Sequence, residues 1–307
     1  MKPALLGNLS PFSRLIFVIA LTFSCFIITF FLALLLAIPI YHVNLMETIN
    51  ILSQEDNPLA LTLLKYFQVT QSIGLFIIPA LLAGYLFERS SLGYLRAGQT
   101  GTGAVFLIAF LLMFVSLPFI NWLVSVNEMM KLPSGLKGVE DWMKSAEDQA
   151  SKLTDIFLGG KSFSTFLFNI FMIGILPAVG EEFMFRGILQ KLLNDWLKNI
   201  HVAIFVTGFL FGAMHMQFYG ILPRMILGVI FGYLFYWSGS IWVPVFAHFV
   251  NNSGAIVVAW LSNLGLISQK YQDFGSTNNV FLIILSLLMT LSCIYLVYRR
   301  KPLNFQT

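Results

Sequence analysis

Residues 163–186 read FSTFLFNIFMIGILPAVGEEFMFR. A membrane helix needs about 20 mostly apolar residues. Phe163–Phe185 meets that requirement and reads as a membrane span. Two acids, Glu181 and Glu182, sit inside it, toward its polar end. An ionisable side chain within a span is expensive and marks a functional site by default. One stretch therefore predicts both a helical membrane protein and a polar site carried on one of its helices.

The rest of the chain agrees. Of 307 residues, 58% are hydrophobic and only 10% are charged. A soluble domain carries roughly 25% charged residues, so this chain cannot clothe a soluble surface. The expected fold is all-α: a polytopic transmembrane helix bundle. Eight spans are predicted: Leu15–Ile40, Leu61–Phe87, Ala104–Val124, Phe163–Phe185, Val202–His215, Ile221–Trp237, Ile241–Leu264 and Val280–Tyr298. The fifth is short, and the second carries Lys65, Gln68 and Gln71. The first is too long for a signal-peptide core and lacks a clear cleavage site. It reads as a retained span.

Charge sets the orientation. With the N-terminus inside, the inner segments hold Lys2, Arg14, Arg89, Arg96, Lys191, Lys198, Arg299, Arg300 and Lys301. The loop after the first span holds Glu47, Glu55 and Asp56 and no base. The positive-inside rule then puts both termini in the cytoplasm. The net charge of +4 belongs to these loops, and no basic stripe interleaved with aromatics points to nucleic acid. Cys25 and Cys293 lie in apolar runs and read as apolar fillers, which excludes a disulfide framework and a Cys-ligated zinc.

Residues 127–161 depart from the charge pattern, with five lysines and six acids on the outer side. Within them Trp142, Met143, Ala146, Ala150, Leu153, Ile156 and Phe157 fall at near-helical spacing. This predicts an amphipathic helix over Val139–Leu158, lying on the membrane surface. It reads either as a solvated loop helix or as a lid. Residues 1–162 are expected to form an N-terminal scaffold of three spans plus this loop. Residues 163–265 would form a catalytic core, and 266–307 the last span and a basic tail.

Polar groups inside spans concentrate in three clusters. In the first, Glu182 and Arg186 are one turn apart and share a helix face. Arg186 can hold Glu182 in a bidentate pair. Glu181 points about 100° away and is left available. Pro177, one turn upstream, removes a backbone hydrogen bond and is expected to kink the span. The structural alternative is a salt-bridged helix end near the cytoplasmic surface. The second cluster is Phe211 and His215, where the ring can brace the imidazole. Gly208 and Gly212 beside it have the spacing that permits close helix approach. The alternative here is an interfacial histidine. The third cluster is His248 with Asn251 and Asn252, whose alternative is interhelical hydrogen-bond glue. Together they supply a carboxylate, two imidazoles and an amide donor. A carboxylate beside an imidazole can deprotonate water, and the remaining donors can stabilise an oxyanion. That set suits peptide hydrolysis.

In this order, Glu-Glu-x-x-x-Arg, then Phe-x-x-x-His, then His-x-x-x-Asn, the chain resembles the CPBP (CAAX protease and bacteriocin-processing, Abi-type) family of intramembrane endopeptidases. The resemblance covers roughly Phe163 to Leu264. It implies that Glu181 activates the attacking water, assisted by His215. It implies that His248 and Asn252 stabilise the oxyanion, with Glu182 and Arg186 as a supporting ion pair and Phe211 beside them. Substrates would be membrane proteins or lipidated peptides, and the location a bacterial cytoplasmic (inner) membrane. If zinc were present, Glu181, His215 and His248 would match a common ligand count. Glu181 would then cease to be a free base, and the His-Glu-x-x-His arrangement is absent. A metal-free, glutamate-dependent route is expected. Two other readings are a non-catalytic binding or bacteriocin-immunity-type protein and a proton-coupled transporter, the latter lacking evident inverted repeats.

Overall fold

Helix α1 (Pro11–Tyr41) begins at a Ser10 cap, whose hydroxyl accepts from the Ser13 amide, and runs for 31 residues. Its sequence gives it apolar residues on every side, so Phe23, Phe31 and Leu35 are left facing outward, as lipid contact requires. The computed structural model describes residues 4–52, 54, 57–130, 132–268 and 275–300. Lys2, Glu55, Asp56, Lys131 and the 301–307 tail with Lys301 lie outside the described residues. The described residues contain helices, turns and loops and no strand.

The other long elements are α2 (Pro58–Glu88), α3 (Gly103–Val115), α4 (Leu117–Glu128) and α5 (Lys137–Leu158). After these come α6 (Phe163–Leu197), α7 (Ile200–Met214), α8 (Ile221–Ser238), α9 (Trp242–Asn263) and α10 (Val280–Arg299). Among the described residues, six helices are long and apolar enough to cross a membrane, or seven if α3 and α4 make one bent span. Each of the eight expected spans is helical, but two differ from expectation. The third breaks between α3 and α4 with a bend of 45°. Pro118 is the reason, because it cannot donate to the ladder and crowds the preceding turn. Ser286 of α10 satisfies the broken ladder: its hydroxyl donates to the Val115 carbonyl and accepts from the Phe119 amide. Without water, those groups would otherwise cost several kcal/mol each. The fifth, α7, has 15 residues. At 1.5 Å per residue it is about 22 Å long, short of a core about 30 Å thick.

Helix α6 also corrects the sequence reading. It runs for 35 residues, well past Phe185. Glu181 and Glu182 therefore sit near its middle, not at its end. The charges after Phe185 suggested a terminus, but Arg186 is fully buried and paired, so the helix continues. Pro177 does not interrupt it. A π-helical turn over Ile170–Ile175 precedes the proline, which enters the first turn of the next α-helical stretch. A second π-helical stretch, Phe183–Gln190, follows the glutamates. Such wide turns recur at functional sites in membrane and soluble helices.

Two apolar clusters meet at α9. Val245 and Ile241 pack with residues of α1, α2, α6 and α7. Val243 and Ala247 pack with α3, α4, α8 and α10. Helix α9 thus lies between the two halves, with His248 on its buried side. In lipid, helices associate through close packing and polar contacts. Helices α7 and α8 show why their glycines matter. A Cβ on Gly212 would stand 2.7 Å from the Ile221 carbonyl oxygen, and one on Gly228 2.9 Å from the Gly208 Cα. Only glycine permits this approach, which the Gly208/Gly212 spacing predicted.

Candidate active site

Helices α6, α7, α8 and α9 converge on Glu182. Its side chain is fully buried. One oxygen, Oε1, accepts from Arg186 Nη1 at 2.9 Å and pairs with His248 Nδ1, also at 2.9 Å. The expected bidentate ion pair is corrected here. The second Arg186 nitrogen, Nη2, donates instead to the Gly228 carbonyl at 2.9 Å. The close approach of α7 and α8, and a glycine at 228, bring that carbonyl within reach. Gln190, one turn further along α6, repeats the arrangement by donating to the Gly232 carbonyl at 3.2 Å.

Aromatic rings enclose the guanidinium. Its carbon lies 4.5 Å from the Phe211 ring centroid and 5.4 Å from that of Phe231. A desolvated cation gains about 2 kcal/mol or more from such faces. Phe211 also meets His215 edge-on at 5.3 Å and His248 at 5.7 Å. Phe231 stacks on His248 at 5.2 Å, with an interplanar angle of 18°. These contacts remove the alternative of a salt-bridged helix end at the surface. The pair is in the interior and belongs to a cluster drawn from four helices.

The hydrogen bonds define what each group has left to offer. His248 Nδ1 faces the Glu182 carboxylate, so its N–H points there and Nε2 is uncommitted. His215 Nδ1 faces the Phe211 carbonyl at 2.8 Å, which likewise leaves Nε2. The Asn252 amide donates one N–H to the Ile173 carbonyl at 3.0 Å and keeps a second. Its oxygen accepts from Asn251 at 3.2 Å. The Ile173 carbonyl belongs to the π turn before Pro177, where the widened ladder leaves room for a side-chain donor. Glu181 is buried, and its Oε2 has no hydrogen-bond partner.

Every residue expected at the site lies on these helices or, for His215, at the C-terminal cap of α7. Five residues escaped the sequence reading: Gln190, Arg224, Gly228, Phe231 and Gly232. Gly228 and Gly232 carry the same four-residue spacing as Gly208 and Gly212, which was a usable signal. Among the described residues, no three His, Cys, Asp or Glu side chains gather as a metal-binding group. His248 meets Glu182 through Nδ1 alone.

Fold and site together define an integral membrane protein of the polytopic helical kind, with a buried carboxylate–imidazole cluster. Residues 163–254 match the family model for type II CAAX prenyl endopeptidase Rce1-like proteins. All three motif clusters fall within that stretch, which is Rce1-like in sequence. The uncharacterized protein YpbD of Bacillus subtilis (strain 168) is 29% identical over 86 residues, which cover 27% of this chain and 41% of YpbD. A protein of the same organism named putative membrane peptidase YdiL is 28% identical over 89 residues, 29% of this chain and 36% of YdiL. The chain thus spans about two fifths of the length of these relatives. No solved structure matches it.

Proposed function

We propose that the chain is an intramembrane endopeptidase of the CAAX-prenyl-protease type, acting on membrane-associated or lipidated substrates. The observation that carries this reading is the division of labour between the two glutamates. Glu182 is committed to Arg186 and His248, while Glu181 keeps a buried oxygen without a partner.

In the proposed reaction Glu181 takes a proton from water, with His215 Nε2 as a second acceptor, and the water oxygen bonds to the scissile carbonyl carbon. The carbonyl electrons move to its oxygen. The remaining N–H of Asn252 donates to that oxyanion, joined by the Nε2–H of His248 as an imidazolium whose Nδ1–H is held by Glu182. Collapse restores the carbonyl and breaks the C–N bond. The proton held by Glu181 passes to the leaving amine. Glutamate and histidine suffice for these steps, and no step passes through a metal.

The proposed setting is a bacterial cytoplasmic membrane, with eight membrane segments and both termini inside. Residues 163–265 would carry catalysis on a scaffold built by the rest. The test is a comparison of membrane proteomes from cells making wild-type protein or Glu181→Gln at equal levels. New protein termini confined to the wild type are expected. Identical terminus profiles would contradict the proposal and favour a binding or immunity-type role.

A further inference from the structure

Helix α5 is amphipathic, as its sequence predicted, and its C-terminal end is tied to the bundle. Asn169 donates to the Phe157 carbonyl, and Asn263 to the Leu158 carbonyl. Its middle is tied elsewhere. Glu147 faces the turn that follows His215. Its Oε1 accepts from Gln217 Nε2 at 3.1 Å, and its Oε2 from the Tyr219 backbone N–H at 3.2 Å. Gln217 passes the connection on: its Oε1 accepts from Arg224 Nη2 at 2.6 Å. The guanidinium fills the space over Gly220, where any Cβ would collide with Nη1.

The order of these bonds matters. A primary amide presents N–H on one side and oxygen on the other. Glu147 accepts only, so it turns the Gln217 amide with nitrogen toward itself and oxygen toward Arg224. With Glu147 removed, Arg224 still selects the amide oxygen, but the amide nitrogen and the Tyr219 N–H lose their anchor on α5. The turn also needs an outside hold. Met216 adopts φ 54°, the left-handed region. For a non-glycine residue this costs about 1–2 kcal/mol, and it falls directly after His215.

We infer that Glu147, Gln217 and Arg224 form a relay through which the surface helix α5 fixes the turn that carries His215. Glu147 and Arg224 are thereby positioning residues of the reaction, and α5 is part of the enzyme's working structure. The inference rests on the endopeptidase reading.

The test uses the full chain in liposomes with an internally quenched, S-farnesylated peptide as probe. Glu147→Ala and Arg224→Ala are each expected to lower kcat about tenfold, with KM little changed. The double variant should fall no lower than Arg224→Ala alone. Guanidinium ion should restore Arg224→Ala, and equimolar urea should not. Gln149→Ala, on the outer face of α5, should match wild type. Losses that multiply in the double variant, or equal rescue by urea, would overturn the relay. A second readout is independent of turnover: hydrogen exchange at the Tyr219 amide should quicken in Glu147→Ala while α9 keeps its protection. An unchanged Tyr219 amide would overturn the relay. Wild type no faster than Glu181→Gln would instead overturn the endopeptidase reading and leave the exchange result to decide the relay.

Discussion

At Glu182 one carboxylate oxygen serves two cationic or polar partners on different helices, Arg186 and His248. Removing one member of a buried pair leaves the other charge uncompensated, at a cost of about 3–5 kcal/mol. Arg186→Met is therefore expected to lower stability by that amount, read from thermal unfolding in detergent. Glu182→Gln combined with Arg186→Met should regain much of the stability, because no charge is left stranded. It should not regain cleavage, because His248 has lost the carboxylate that orients it. A double variant as unstable as the single one would contradict this account of the pair. The Glu182–Arg186 link was legible in the sequence because four residues make one helical turn. The Glu182–His248 bond joins residues 66 positions apart, and no local periodicity encodes it. The same limit hid Arg224 and the Gly228 carbonyl.

Among the elements, α7 and α8 behave as one unit joined through glycines. A Cβ on Gly212 would meet the Ile221 oxygen at 2.7 Å and the Met225 nitrogen at 3.0 Å, and backbone cannot yield as a side-chain tip can. Gly212→Val should therefore cost about 1–3 kcal/mol by overpacking. It should also lower activity, since separating the helices withdraws the Gly228 carbonyl from Arg186. Gly138→Ala on α5 is the matched control, because a Cβ there meets nothing within 4 Å. It should stabilise by about 0.5–1 kcal/mol. Wild-type stability and activity in Gly212→Val would show that close approach is not needed. The spacing of Gly208 and Gly212 announced this interface. The shape of α6 was not announced. Pro177 signalled a disturbance, but whether a helix kinks or widens into a π turn depends on the partners waiting for its freed groups. Here one partner is Asn252, from a helix far along the chain. The apparent end of α6 at Phe185 failed for a related reason. Charge normally ends a span, yet Arg186 has its partners inside the bundle.

For the whole molecule, composition alone indicated helices in a membrane, and the segments found match the apolar runs. The number that fully cross is less directly encoded, because α7 is short and α3–α4 is bent. The charge distribution predicts both termini in the cytoplasm. In a background lacking Cys25 and Cys293, cysteines placed at either terminus should react with a membrane-impermeant thiol reagent only after the membrane is opened. Labelling of one terminus in intact cells would show an odd number of crossings, with α7 as the segment that turns back. The relay places α5 on the same side as the turn after His215, and the eight-segment arrangement puts both outside. The central claim concerns chemistry: Glu181 activates the water that hydrolyses a peptide bond. Its most direct test is single-turnover cleavage of a lipidated peptide by purified wild-type and Glu181→Gln proteins with matched unfolding temperatures. The account predicts a fall of about 10²–10⁴-fold for the substitution, the range for loss of a positioned general base. Cleavage at the wild-type rate by Glu181→Gln would contradict it.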